Sequence, residues 1–315
     1  MAGRPRYDDL PPASAGGRSG WPVDGRPDNL GSIALQTPAR IRRAARLVER
    51  GAIFSLNAPL DAFGHEQWGR VLVRRTVMHP PGALFFDDVL DGMALQGSSQ
   101  WDSLGHVGYA PDAFYAGANE ASVAAGERNT IDHWARRGIA GRGVLLDMAG
   151  TWQDRGEVLH PGSPTEFTVA DLEKARARAR IEYEPGDILI IYTGFAEYFA
   201  QLSNVQRTEM EFISPGLAHS EDICRYLWDS QFSAVASDNL AVEAFPADFS
   251  AENAPFGALH RMMIGQLGLA LGELWWLRDL VEDCRADGRW EMLLTSAPLN
   301  VTGGIGSPAN VLALK

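Results

Sequence analysis

An α/β domain built on a mixed sheet is the fold class this sequence predicts, and three features predict it. Ile188-Leu189-Ile190-Ile191-Tyr192-Thr193 and Val144-Leu145-Leu146-Asp147 are unbroken apolar runs of the kind buried on both faces of a sheet. Between them, Thr168 to Ile181 reads as a helix. Strands and helices then mix without a strict βαβ rhythm, which argues against an all-parallel sheet. The 315 residues, 45% of them hydrophobic, allow one large domain or two ordinary ones, and no internal repeat is visible. We read one domain over residues 21–315. Residues 1–20, rich in Pro, Gly, Ala and Ser, are expected to be a flexible arm, or a tail lying on another subunit.

Taken in order, Thr37-Pro38 is an N-cap followed by proline at the first helical position. Ile41, Ala44, Ala45 and Val48 share one face, and Gly51 is expected to stop the helix. Ala52 to Leu56 and Arg70 to His79 read as strands, the second ended by Pro80-Pro81-Gly82. Asn129 to Arg137 is a short helix. Gly138 to Gly143 is expected to be a tight turn feeding the strand Val144–Asp147. It lacks the GxGxxG or GK[ST] pattern of a phosphate loop. Thr168 and Asp171 form a capping-box-like start. Ser220 to Ser230 and Ala258 to Gly265 read as helices, and Ala234 to Asp238 and Glu291 to Ser296 as strands.

Composition excludes several functions. A net charge of −12 argues against a nucleic-acid partner, because phosphates would be repelled. Two cysteines, Cys224 and Cys284, with no CxxC pair exclude a thiolate zinc site. Their number, and an N-terminus without a signal-like apolar region, lead us to expect a cytoplasmic protein. No run of 18 apolar residues exists, so no membrane span is expected.

The chemistry gathers in Leu95 to His106. Gln96, Gln100, Asp102 and His106 are spaced by four, two and four residues. Even spacing in extended chain puts them on one face, either a solvated edge or the lip of a site. Imidazole is the side chain best suited to trade protons near neutral pH. A second group comes later: His260, then Glu273 inside the apolar run Leu267 to Leu277. A carboxylate there is costly unless it is paired, for example with Arg278, or metal-bound. Asp238 and Glu243 bracket a strand's end, where carboxylates line clefts or cap turns. His219 is expected to be a surface polar group. His65, His79, His133 and His160 show no partner spacing and are taken as structural.

Several blocks together resemble a known family. They are Gln96 to His106, Gly138 to Asp147, Pro185-Gly186-Asp187-Ile188-Leu189, Ala236 to Glu243, Ala297-Pro298-Leu299 and Gly306-Ser307-Pro308. Over residues 20–315 the chain is similar to the cyclase family that includes bacterial kynurenine formamidase and isatin hydrolase. Within it, Gln100-Trp101-Asp102 looks like a QWD-type branch. The family motif HxGTHxDxPxH lays its Asp on Asp102 and its last His on His106. Its first two His fall on Gln96 and Gln100, and its Pro on Leu104. The family's later His and Glu ligands match His260 and Glu273.

The resemblance implies a swivelling β/β/α-like fold and a divalent metal, Mn or Zn. Asp102, His260 and Glu273 would hold it, with Gln100 and Gln96 assisting as amide ligands that suit a harder ion. It implies hydrolysis of an amide, formamide or lactam bond in a small aromatic substrate. Catalysis would fall to Asp102 and to His106 as general acid/base, and the setting would be tryptophan and kynurenine catabolism. Trp101, Trp21 and Asn29 are the candidate substrate contacts, though Trp101 would point away from the ligands in an extended segment. A homo-oligomer, dimer or tetramer, is expected. Two alternatives stay open: a metal-poor binding protein that has lost hydrolysis, and a biosynthetic cyclase or dehydratase.

Overall fold

The computed structural model describes residues 4–21, 28–63 and 69–315. Its strands are β1 (Ile53–Ser55), β2 (Arg74–Met78), β3 (Asp87–Asp91), β4 (Gln100–Asp102), β5 (Ile139–Asp147), β6 (Glu166–Phe167) and β7 (Ile188–Tyr192). They continue as β8 (Gly216–Leu217), β9 (Ala234–Ser237), β10 (Ala270–Glu273), β11 (Glu291–Ser296), β12 (Gly306–Pro308) and β13 (Val311–Leu314). Nine of them form one sheet in the order β1-β13-β11-β5-β7-β9-β10-β4-β12. The central β5, β7, β9 and β10 are parallel, and the strands on either side join antiparallel. This is the expected α/β fold with a mixed sheet, and helices cover it. The apolar runs occupy the centre, where both faces are packed: Ile188 to Ile191 and Val144 to Leu146 are fully buried.

The glycine-rich segment departs from expectation. Only Gly138, at φ +73°, makes a turn, ending the helix Asp132–Arg137. Gly141 and Gly143 lie inside β5. A Cβ on Gly143 would come within 2.8 Å of the Met292 sulfur on neighbouring β11, so glycine here serves close packing. The first helix also ends earlier than Gly51 suggests: Pro38–Ala44 tightens into a 3₁₀ turn, Ala45–Leu47. The Ala258–Gly265 prediction becomes a π-type turn, Arg261–Gln266, with Leu267 N–H donating five residues back to Met262. Turns of this kind collect at functional sites.

Caps follow the sequence. Thr168 and Asp171 form a reciprocal capping box on the helix Val169–Ala179. Thr168→Ala is therefore expected to lose about 1 kcal/mol in a denaturant melt, and an unchanged midpoint would contradict it.

Residues 4–20, expected within a flexible arm, lie on the domain instead. Tyr7 and Leu10 are buried, Tyr7 N–H donates to Asp229 Oδ1 at 2.8 Å, and Trp228 Nε1 donates to Pro5 O at 2.9 Å. Two apolar anchors offset the entropy of ordering an otherwise polar stretch. The hairpin β2–β3 stands apart from the main sheet with every strand residue exposed. No helix among the described residues is long and apolar enough to cross a membrane.

Candidate functional site

The site forms where β4 crosses between β10 and β12. The register sets Glu273 opposite Gln100 and Leu271 opposite Asp102. Because side chains alternate, Gln100 and Asp102 share one face with Glu273, and Trp101 takes the other. His260 enters from the start of the π-type turn.

Asp102, His260 and Glu273 are all buried, and one ligand atom from each lies within 4.8 Å of the others. His260 Nε2 is 3.0 Å from Glu273 Oε1 and 4.0 Å from Asp102 Oδ2. Two ligands each about 2 Å from an ion can stand up to roughly 4 Å apart, so these separations suit a metal. Among the described residues, Asp102 Oδ2 is buried without a hydrogen-bond partner. An orphaned carboxylate oxygen is expensive, and a cation among these three groups would satisfy it. One imidazole and two carboxylates form a donor set suited to Mn or Zn.

The neighbouring carboxylates settle the amide roles. Gln100 Nε2 donates to Glu273 Oε2 at 2.7 Å and to Asp102 Oδ1 at 3.3 Å, while Gln100 Oε1 accepts from Arg70 at 3.1 Å. Arg70 can only donate and an ionised carboxylate only accept, so this amide has one orientation. Gln96 Nε2 donates to Asp102 Oδ1 at 2.7 Å and meets His106 Nδ1 at 2.9 Å. Gly306 makes room for it, since a Cβ there would lie 2.5 Å from Gln96 Cγ. Both glutamines act as hydrogen-bond donors that hold the carboxylates.

His106 consequently has a defined tautomer. Its Nδ1 accepts from Gln96, so the neutral ring carries its proton on Nε2, which lies 3.8 Å from Asp102 Oδ2. Burial lowers its pKa, against the pull of Asp102.

Glu243 fixes His260. Its Oε1 lies 2.5 Å from His260 Nδ1, and the backbone N–H groups of Leu259 and His260 donate to the same carboxylate. Burial works against its charge, but contacts from His219 and His260 bring its pKa down to about 2. Burial likewise opposes protonation of His260, yet Glu243 and Glu273 raise its pKa well above the ordinary value. Glu273 is raised, first by burial and then by the nearby Asp102 charge. Bonded to Glu243 through Nδ1, the His260 ring presents Nε2 to Asp102 and Glu273.

Above these groups opens a cavity of about 430 Å³. Val107, Phe212, Leu240, Phe245 and Phe249 give it apolar walls, and Arg70 adds one cation. Such a mix suits a small, largely apolar ligand with a few fixed polar atoms.

The family model described as "Putative cyclase" matches residues 54–244. The chain belongs to this cyclase family. The match contains Asp102, His106 and Glu243 and stops short of His260 and Glu273, which the fold brings to them. The crystal structure of a novel cyclase is 34% identical, with a TM-score of 0.82, covering 94% of this chain and 99% of that one. Isatin hydrolase A from Labrenzia aggregata, bound to benzyl benzoate, shares the fold at 15% identity and a TM-score of 0.59, covering 86% of this chain and 94% of its own. An isatin hydrolase bound to the product analogue thioisatinate does so at 17% identity and a TM-score of 0.60, with the same coverage. No curated protein sequence matches.

Three predicted substrate contacts lie elsewhere. Trp101 is core: fully buried, it packs edge-on against Trp275 and Trp134 at 5.0 and 6.4 Å, and its Nε1 donates to Ser296 Oγ. Asn29 Oδ1 accepts from Arg128 Nε and Asn129 N, pinning a loop. Trp21 packs against the main core. None of the three lines the cavity.

Asp238 accepts from Thr193 and Gly194 N–H, both at 2.7 Å, and so holds a turn. Glu243 both lines the cavity and bonds backbone amides. Arg278 pairs with Glu282 rather than Glu273. His79, His133 and His160 bond locally, and His65 lies outside the described residues. Sequence reasoning missed Arg70, which no motif marks, and misplaced His219, which is half-buried beside Glu243.

Proposed function

We propose that this cyclase-family protein is a metal-dependent hydrolase of an amide, formamide or lactam bond in a small aromatic substrate. The observation that carries the reading is Oδ2 of Asp102, which has no hydrogen-bond partner among the described residues and lies beside His260 and Glu273, two residues that line an apolar-walled cavity. Asp102, His260 and Glu273 would hold the ion. When bound, a divalent ion supplies a lowered water pKa and polarises a carbonyl. The chain's own residues do the rest. Phe212, Phe245 and Phe249 receive an aromatic ring and exclude water around the scissile bond. Gln96 and Gln100 orient the carboxylates. His106, with its proton at Nε2, is placed to give a hydrogen bond to an oxygen or nitrogen of the substrate. The fold shared with isatin hydrolases supports a lactam among the substrates to try.

The test is metal content in protein purified without chelator, followed by rates on N-aryl formamides and isatin after loading with Mn²⁺ or Zn²⁺. About one equivalent of metal with turnover on either class is expected. Protein that takes up neither ion and turns over neither class would sink the reading.

A further inference from the structure

Among the described residues, carboxylates and imidazoles alternate from the surface down to the buried centre. Glu166 Oε1, on a half-exposed side chain, lies 2.8 Å from His219 Nδ1. His219 Nε2 lies 3.1 Å from Oε2 of the fully buried Glu243. Glu243 Oε1 lies 2.5 Å from His260 Nδ1, and His260 Nε2 reaches Glu273 at 3.0 Å. The elements that carry the chain are distant in sequence. Glu166 is in β6 and His219 lies just past β8, its parallel partner, while Glu243 lies beyond β9 and His260 opens the π-type turn.

We propose that His219 is a positioning residue for the buried centre, holding the Glu243 carboxylate so that the ring of His260 keeps Nε2 turned toward Asp102 and Glu273. A fully buried carboxylate needs donors around both oxygens. Oε1 has the ring and the backbone N–H of His260, and Oε2 has Leu259 N–H and His219. The His219 contact is at ion-pair distance rather than along the ring N–H direction, so it acts chiefly through charge and proximity. Without it, Oε2 keeps one backbone donor, the carboxylate can swing, and the orientation of the His260 ring is no longer set. Glu166 in turn holds the His219 ring through Nδ1. Outer-shell partners of this kind commonly change metal affinity 10–100-fold when removed.

A role confined to pinning the loop also has support, since His219 N–H lies 3.4 Å from Glu166 Oε1 and Ser220 caps the following helix. The experiment separates the two. His219→Leu removes the ring and its charge, and His219→Gln puts an uncharged amide N–H in its place. Should the leucine variant fail to fold, His219→Asn, whose amide falls short of Glu243, takes its place. Two readouts are taken on the full chain: the His260 Nδ1–H signal in proton–nitrogen spectra of metal-free protein, and Mn²⁺ affinity by calorimetry.

The expected result is a downfield Nδ1–H signal in wild type, weaker in His219→Gln and broadened or lost in His219→Leu. Mn²⁺ binding should weaken about tenfold in the leucine variant and recover only in part in the glutamine variant, which brings back an N–H but not the charge. A lowered melting temperature with the signal and the Mn²⁺ affinity unchanged would overturn the proposal in favour of loop pinning. The calorimetric half rests on the hydrolase reading. If wild type takes up neither Mn²⁺ nor Zn²⁺, that reading fails, and the spectra of metal-free protein still decide the role of His219.

Discussion

Asp102→Asn is expected to leave the fold intact, remove the bound metal and lower kcat/KM on an aryl formamide by about 10³-fold or more, equivalent to about 4 kcal/mol of transition-state stabilisation. Asparagine keeps the volume of a side chain that is completely buried, so packing around Trp101 and Leu271 is undisturbed. What disappears is the negative charge that both glutamine amides are arranged to support. A neutral amide is a far weaker ligand for a divalent ion than a carboxylate. The check is metal content by mass spectrometry beside steady-state kinetics. A variant that retains one equivalent of metal and most of its rate would place the chemistry elsewhere. Stability should change little, because the orphaned Oδ2 is a cost in the metal-free protein.

The second large effect concerns stability, far from the cavity. Lys315 is fully buried, with Nζ 2.8 Å from Asp283, 2.9 Å from Asp287 and 2.9 Å from the Arg289 carbonyl. Lys315→Met keeps the stem and deletes the ammonium. It leaves two close carboxylates with Arg50, itself 43% exposed, as their remaining cation. Breaking such a pair from one side is expected to cost about 3–5 kcal/mol, read in a urea or guanidinium melt. A loss under 1 kcal/mol would show that solvent already screens the cluster.

The pH dependence has a definite sign. Burial opposes ionisation of Asp283, but Arg50 and Lys315 hold it below the usual carboxylate range; Lys315 does the same for Asp287. Their contribution is present above the unfolded value near 4 and fades as pH falls through the lower folded values. Burial also opposes the charge on Lys315, yet the two aspartates raise its pKa. Its contribution is present below the unfolded value near 10.4 and fades as pH climbs through the raised one. Wild type should therefore exceed Lys315→Met most clearly between those limits, and the gap should narrow at both ends.

Much of this was legible in the residues. Ile188 to Ile191 and Val144 to Leu146 could only be central strands, because burying that much apolar surface needs cover on both faces. Thr37 and Thr168 announced their helices through cap chemistry, which is local. The even spacing of Gln100 and Asp102 placed them on one face with Trp101 opposite, again a local property of extended chain. The family motif named Asp102, His106, His260 and Glu273, and these groups do meet.

The sequence by itself determined the fold class, the central strands and the identity of the acidic and imidazole groups. Periodicity, capping and motif spacing are all written in neighbouring residues. The tertiary structure alone decided what each group touches. It made donors of Gln96 and Gln100, gave His106 its tautomer, seated Trp101 in the core, drew residues 4–20 onto the domain and set His219 against Glu243. Each of those outcomes depends on a partner supplied by the register of β4 with β10 and β12 or by a side chain up to more than 200 residues away. Hydrogen-bond roles follow from which partner can donate and which can only accept, and only the folded chain brings those partners together.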